Sequence, residues 1–250
     1  MLVSGCAARR LELPSDPGMP LPAAADTLRR VTTSCAGVRT MTVELALAGR
    51  AGGRSLRGRA IAGFERPASM RLEGVAPFGP PAFILAARGG TGTLLLPRDN
   101  RVLRKAKADE ILGALTGVAL APADLQAILT GCVVAQPEAI AGRLHQNGWA
   151  SIDLGGGATL FLEMADGAWQ PRAARRPGWQ IEYSSWQTGF PQTVRLRSLD
   201  SAIDVDLAAT VSQLETNVPI DDSAFAVMVP PSALELTLDE LRDAGPLRAQ

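Results

Sequence analysis

The residues whose spacing predicts a chemical modification stand at the start of the chain. The run Leu2-Val3-Ser4-Gly5-Cys6 has the pattern of a bacterial lipobox, in which an apolar residue and small residues precede a cysteine. A signal peptidase needs small residues before its cut, and the cysteine thiol must be free to accept diacylglycerol. The pattern predicts lipidation at Cys6. Five residues are too few for a basic and an apolar signal region, so either the start codon lies upstream or the match is accidental and begins a disordered leader.

Few side chains are suited to catalysis. The chain has one histidine, His145, and one tyrosine, Tyr183. Any Ser-His-Asp or Cys-His set must use His145, and a histidine-based metal site has no second histidine. We therefore expect no enzyme activity, no metal and no cofactor.

The two remaining cysteines are Cys35 and Cys132. In an oxidising compartment outside the cytoplasm, two cysteines far apart in sequence can form a disulfide. In the chain-entropy model, a disulfide that closes a loop of about one hundred residues stabilises the folded state by roughly 4–5 kcal/mol. We predict this bridge if the chain is exported, and two buried thiols otherwise.

Composition narrows the choice of partners. The 250 residues include 46% hydrophobic residues, and the 25 basic residues balance the 25 acidic ones. Without a basic excess, nucleic acid is not an expected partner. No stretch of 18 apolar residues is present, so membrane attachment would go through Cys6.

Alternating polar and apolar residues predict about ten short antiparallel strands, with short strands added late in the chain, one of them at 225–229. Helices are predicted after the sixth strand, at 108–115, from Pro122 to Gly131 and at 137–144, and a capping box at 237–240 predicts a last short helix. A sheet of this size tends to curl. We predict an α+β, mainly β fold: an unclosed β-barrel whose concave face is covered by helices between Ala108 and Leu144. The segments are a lipobox remnant with a flexible tether at 1–22, the half-barrel domain at 23–230, and an extension with a short helix at 231–250.

Three stretches resemble the LolA/LolB-like fold of bacterial lipoprotein carriers. Residues 70–85 include Ala76-Pro77-Phe78-Gly79 between two strands, residues 117–131 read as a helix pair with Pro122 and Gly131, and residues 178–196 read as a strand pair. The resemblance covers about residues 25–230. It implies acyl-chain binding in an apolar cavity by a lipoprotein at the periplasmic face of the outer membrane. Ala7 after Cys6, with no aspartate there, is similar to the outer-membrane sorting pattern.

The resemblance also assigns candidate site residues. Phe78 stands on a proline-bounded turn and would contact a membrane or an acyl chain, or else fold back onto the core. The apolar strand positions would line the cavity, or form a filled core, since periodicity reports burial and not empty space. A filled core favours the alternative of a structural or assembly lipoprotein with a periplasmic protein partner. The cavity residues are Met41, Val43, Leu45, Leu47, Phe83, Leu85, Val194 and Leu196.

Overall fold

One long curved sheet makes up most of the molecule. The computed structural model describes residues 11–200 and 204–244, so Cys6 lies outside the described residues. The strands are β1 (Met19–Pro20), β2 (Thr40–Ala51), β3 (Arg54–Glu65), β4 (Ser69–Val75), β5 (Phe83–Arg88), β6 (Thr91–Leu96), β7 (Arg101–Lys107), β8 (Ala139–Leu144), β9 (Ala150–Leu154), β10 (Ala158–Ala165), β11 (Ala168–Arg176), β12 (Trp179–Gln187), β13 (Phe190–Ser198), β14 (Val205–Thr216) and β15 (Leu234–Glu235).

The sheet stays open. Its strand order is β1-β8-β9-β10-β11-β12-β13-β14-β2-β3-β4-β5-β6-β7-β15, with β1 and β15 at the two edges. Neighbours are antiparallel except β15, which is parallel to β7. The predicted mainly β, unclosed half-barrel is confirmed.

Two halves of the chain meet where β14 pairs with β2. Strands β2, β3 and β14 each have twelve residues, so the β2–β14 and β2–β3 ladders are the longest among the described strands. The ladder needs glycine at one point, because a Cβ on Gly49, whose φ is +148°, would lie 2.0 Å from the Asp206 carbonyl oxygen. The hairpin β2–β3 and strand β14 therefore hold the two halves in one sheet.

In the part of the chain that the structure describes, five helices accompany the sheet: α1 (Ala24–Val31), α2 (Thr33–Ala36), α3 (Ala108–Thr116), α4 (Pro122–Thr130) and α5 (Leu238–Ala244). α4 begins at Pro122 and ends at Gly131, which takes the left-handed conformation common after a helix. Ile111 of α3 and Ile128 of α4 belong to the same core as the apolar strand residues. We call the side of the sheet that faces α3 and α4 the inner face.

Two short elements differ from the sequence prediction. Residues 137–144 were expected to form a helix, but Ala139–Leu144 is strand β8, because its backbone pairs with β9 on one side and β1 on the other. Residues 225–229 were expected to form a strand, but a 3-10 turn at Asp222–Phe225 buries Phe225 instead. In β8, tertiary pairing overrides local preference.

The two ends of the described chain are attached to the same body. Met19 and Pro20, which fall in the expected flexible tether, pair with Leu144 and Arg143 of β8. At the other end, α5 begins at the predicted capping box, where the Thr237 hydroxyl and the Glu240 carboxylate hydrogen-bond 3.0 Å apart. Leu241 of α5 lies in the main core. The end segments therefore pack against the half-barrel.

Candidate functional site

The eight predicted cavity residues all lie on the inner face. Seven are buried in one continuous core, and Leu47 is half-buried at its margin. Leu45 and Leu85 are 6% and 0% exposed. The structure thus brings the predicted residues together, packed under the helices.

Two open hollows of about 400 Å³ each lie beside the sheet. None of the eight predicted residues lines either of them. One hollow lies between β13 and β14, and the other lies on the outer face around Arg195 and Asp206. The Arg195 guanidinium donates two hydrogen bonds to the Asp206 carboxylate, at 2.6 and 2.8 Å. These bonds lower the pKa of Asp206.

Half-buried apolar side chains continue the core along one end of the inner face. Cross-strand pairing brings Leu196 opposite Leu207, Leu207 opposite Gly49, and Gly49 opposite Leu56. Leu196 is 9% exposed and belongs to the buried core, whereas Leu47, Leu56, Leu207 and Trp179 are half-buried. We call this set the apolar strip; it crosses five adjacent strands and consists of Trp179, Leu196, Leu207, Leu47 and Leu56.

The helical cover is tied to the sheet and to α2. A disulfide joins Cys35 of α2 to Cys132, two residues after α4, with a Cα–Cα distance of 5.6 Å. At the start of α4, the Asp124 carboxylate accepts a hydrogen bond from Arg176 of β11 at 2.6 Å. Arg176 also donates to the Val133 carbonyl at 3.0 Å. Both ends of α4 are therefore fixed.

A buried aromatic pair lies beneath these ties. The rings of Tyr183 and Trp186 are 6.0 Å apart, and burial raises the pKa of Tyr183. Among the described residues, the Tyr183 hydroxyl and the Trp186 indole nitrogen are the two buried side-chain groups that lack a hydrogen-bond partner. Leaving a buried polar group without a hydrogen bond costs free energy. The core next to α4 is therefore less stable here than where its polar groups are paired.

Phe78 projects from the loop between β4 and β5. Its side chain is 88% exposed, so it does not fold back onto the core. Its carbonyl accepts a hydrogen bond from Arg98 at 2.9 Å. Val75, which ends β4, pairs with Arg59, and Leu56 lies three residues further along β3 towards the β2–β3 turn. Phe78 and the apolar strip are therefore at the same end of the sheet.

His145 does not present a nucleophile to a substrate. Its Nε2 lies 2.9 Å from the Ser151 hydroxyl and its Nδ1 lies 3.2 Å from the Asp16 carboxylate, an order also found in serine hydrolases. Ser151 is only 3% exposed and His145 only 7%. Burial alone would raise the pKa of Asp16, but hydrogen bonds from Gln146 and His145 outweigh this effect and lower it. The set fastens the N-terminal segment to β8 and β9.

Within residues 11–200 and 204–244, no group of three or more His, Cys, Asp or Glu side chains is placed to hold a metal ion. In the same ranges, none of the helices has the length and apolar character needed to cross a bilayer.

Known proteins resemble the chain in structure rather than in sequence. No protein-family model and no curated protein sequence matches it. A LolA superfamily protein from Nitrosomonas europaea superposes with a TM-score of 0.53 at 11% identity, over 80% of this chain and 98% of that one. The fold is LolA-like. A DUF1329 family protein from Desulfovibrio piger gives a TM-score of 0.54 at 13% identity, over 83% of this chain and 97% of that one.

The resemblance predicted from the sequence is thus confirmed for the fold, and the chain is a divergent example of it. Sequence reasoning placed Leu47 and Leu196 on the inner face but missed Leu56, Leu207 and Trp179 as site residues. Leu56 and Leu207 carry the alternating signal of a strand, yet the signal does not tell which inner-face positions stay half-buried.

Proposed function

We propose that this protein binds acyl chains of a lipid or a lipoprotein on the inner face of its LolA-like half-barrel, in the bacterial envelope. The observation that carries the proposal is the apolar strip, because four of its five side chains are half-buried on the inner face beside the buried core. Burial against such a surface favours an acyl chain by about 0.8 kcal/mol for each CH₂ group. No catalytic step is needed.

The strip is the entry point in this proposal, and the helical cover must move for deeper binding. Leu45 and Leu85 are already packed against the core below α3 and α4. An acyl chain that starts on Leu47 and Leu207 can advance only as the helices give way. The predicted cavity is therefore proposed as a space that opens with α3 and α4.

Two further features belong to the proposal. Cys6 carries the lipid anchor at the periplasmic face of the outer membrane. Phe78, exposed at the same end as the strip, dips into a lipid surface or contacts a lipoprotein's acyl chain, so that the chain passes directly to the strip. The anchor keeps the protein at the membrane where its ligand lies.

A structural or assembly role is the second candidate. It is favoured by the packing of seven of the eight predicted residues in one continuous core. In that role the protein would act through contacts with an envelope partner and would bind no acyl chain.

Binding of a fluorescent fatty acid separates the two candidates. We expect the full chain to bind dansyl-undecanoic acid saturably and an excess of palmitate to displace it. Leu47→Glu places a charge in the strip and should weaken binding at least tenfold. The control Ile61→Glu changes a residue that is 46% exposed on the outer face and should not alter binding. If the wild-type chain binds no fatty acid, or if both variants lose binding equally, the acyl-chain proposal is contradicted and the structural or assembly role is favoured.

A further inference from the structure

A second feature, which acyl-chain binding does not use, lies between β13 and β14. The two strands pair from Thr193 with Thr210 to Arg197 with Asp206, and beyond Thr193 they separate. An open hollow of about 400 Å³ occupies the gap. One wall consists of Gln187, Thr188, Phe190 and Gln192, and the other consists of Val211, Ser212, Gln213, Leu214 and Thr216.

The β14 wall is held by β2. The register between the two strands shifts between Val211 and Gln213, which leaves Ser212 as an extra residue. The Ser212 hydroxyl donates a hydrogen bond to the Glu44 carbonyl of β2 at 3.3 Å. The rest of β14 then follows β2 as far as the pair between Thr216 and Met41.

The opposite wall is held by the helices. Trp186 packs so closely on Gly131, at the end of α4, that a Cβ on this glycine would lie 2.7 Å from the indole ring. Gly189, in the β12–β13 turn, packs on Ser34 of α2, and a Cβ on this glycine would lie 2.5 Å from the Ser34 hydroxyl oxygen. The hairpin tip therefore follows α2 and α4 while β14 follows β2, and the cleft between them is fixed by packing on both sides.

The β14 wall offers a free strand edge. Among the strands of the described residues, none pairs with residues 211–216 on the side that faces β13. Unpaired main-chain groups along an edge pair readily with another extended chain. We propose that this cleft binds an extended segment of a partner protein, which adds to the edge of β14 as a further strand.

The lining indicates which segment fits. Phe190, Val211 and Leu214 are buried or half-buried and form an apolar floor, while glutamine and hydroxyl side chains form the rim. None of the nine lining residues is charged. Because side chains of a strand alternate between its two faces, the partner segment would carry apolar residues at every second position and few charges. Its main-chain hydrogen bonds provide the affinity, and this site is independent of the acyl-chain proposal.

A peptide taken from the chain itself tests the cleft. Residues 41–47 of β2 already pair with the other edge of β14. A synthetic peptide of residues 40–47 also has apolar residues at every second position and a single charge, as the cleft requires. We expect the peptide to bind the ¹⁵N-labelled full chain saturably, with chemical-shift changes confined to residues 187–192 and 211–216. Exchange of the residue 211–216 amide hydrogens that face the cleft should slow at least tenfold at saturation.

Matched variants and a second peptide complete the test. Gln192→Lys with Gln213→Lys places two charges in the cleft and should weaken binding at least tenfold, whereas Gln146→Lys, exposed in another turn, should not. A peptide with proline at two alternate positions lacks N–H groups and should bind the wild-type chain at least tenfold more weakly. Absence of shift changes in the cleft, or equal binding of the proline peptide, would overturn the proposal. So would shift changes at these residues with decanoate but not with the peptide.

Discussion

Single ionisable side chains on the outer face make the stability of the fold depend on pH. Hydrogen bonds from Arg195, together with the charge of Arg197, lower the pKa of Asp206 below its value of about 3.9 in an unfolded chain. This stabilisation is complete above about pH 4 and is lost as the pH falls through the lower pKa of the folded state.

Asp206→Asn should therefore flatten the pH dependence of the free energy of unfolding below about pH 4. At pH 7 we expect a loss of about 0.5–1 kcal/mol, because the pair is partly open to solvent. Urea unfolding at several pH values measures both effects. Asp204→Asn, whose ion pair with Arg50 is exposed, serves as the control. If the free energy of unfolding of Asp206→Asn changes between pH 4 and pH 2 as steeply as that of the wild type, another group controls this pH dependence.

Cys6 can be tested apart from the fold. When the chain is expressed behind a functional signal peptide, a radioactive fatty acid should label the wild-type protein and not Cys6→Ser, because only the thiol accepts the diacylglycerol group. Equal labelling of both proteins would remove the lipidation proposal.

The exposed side chain of Phe78 can be tested for membrane contact. Phe78→Ser should reduce binding of the non-acylated chain to vesicles of outer-membrane lipid several-fold, because a bulky exposed apolar side chain is lost from the open end of the sheet. Ile140→Ser removes a side chain that is 72% exposed on β8 and should leave vesicle sedimentation unchanged. Similar losses in both variants would mean that Phe78 has no special role.

At the scale of elements, the disulfide holds the helical cover in place. The bonded cysteines are 97 residues apart, and the chain-entropy model gives about 4–5 kcal/mol for a loop of this length. Cys35→Ala with Cys132→Ala should lower the free energy of unfolding by that order, and Cys6→Ser should not change it. Because α4 then has one tie fewer, the double variant should also take up fatty acid faster than the wild type in stopped-flow fluorescence. Slower uptake would contradict a cover that must move.

The elements that could be predicted from the sequence are those whose local signals agree with their tertiary partners. The alternation of Met41, Val43 and Leu45 predicts an inner face for β2, and Pro122 with Gly131 sets the ends of α4. β8 could not be predicted, because its pairing with β9 and β1 decides its conformation. The bulge at Ser212 also depends on a distant contact, the Glu44 carbonyl, so the cleft beside β14 has no local signal.

In the molecule as a whole, acyl-chain binding depends on the part of the inner face that stays half-buried. Periodicity identifies the apolar face of each strand, but only the packed structure shows that Leu47, Leu56 and Leu207 meet at one end and are half-exposed there. The same packing separates two kinds of binding surface. The apolar strip is suited to acyl chains, and the cleft between β13 and β14 is suited to an extended polypeptide.

Native mass spectrometry of the full chain purified from membranes in a mild detergent tests acyl-chain binding most directly. We expect a noncovalent adduct with the mass of one lipid per chain, which collisional activation removes while any covalent anchor stays. The adduct should be lost in Leu47→Glu and kept in Ile61→Glu. A spectrum that shows only the bare chain, or an adduct that persists in Leu47→Glu, would contradict binding at the apolar strip.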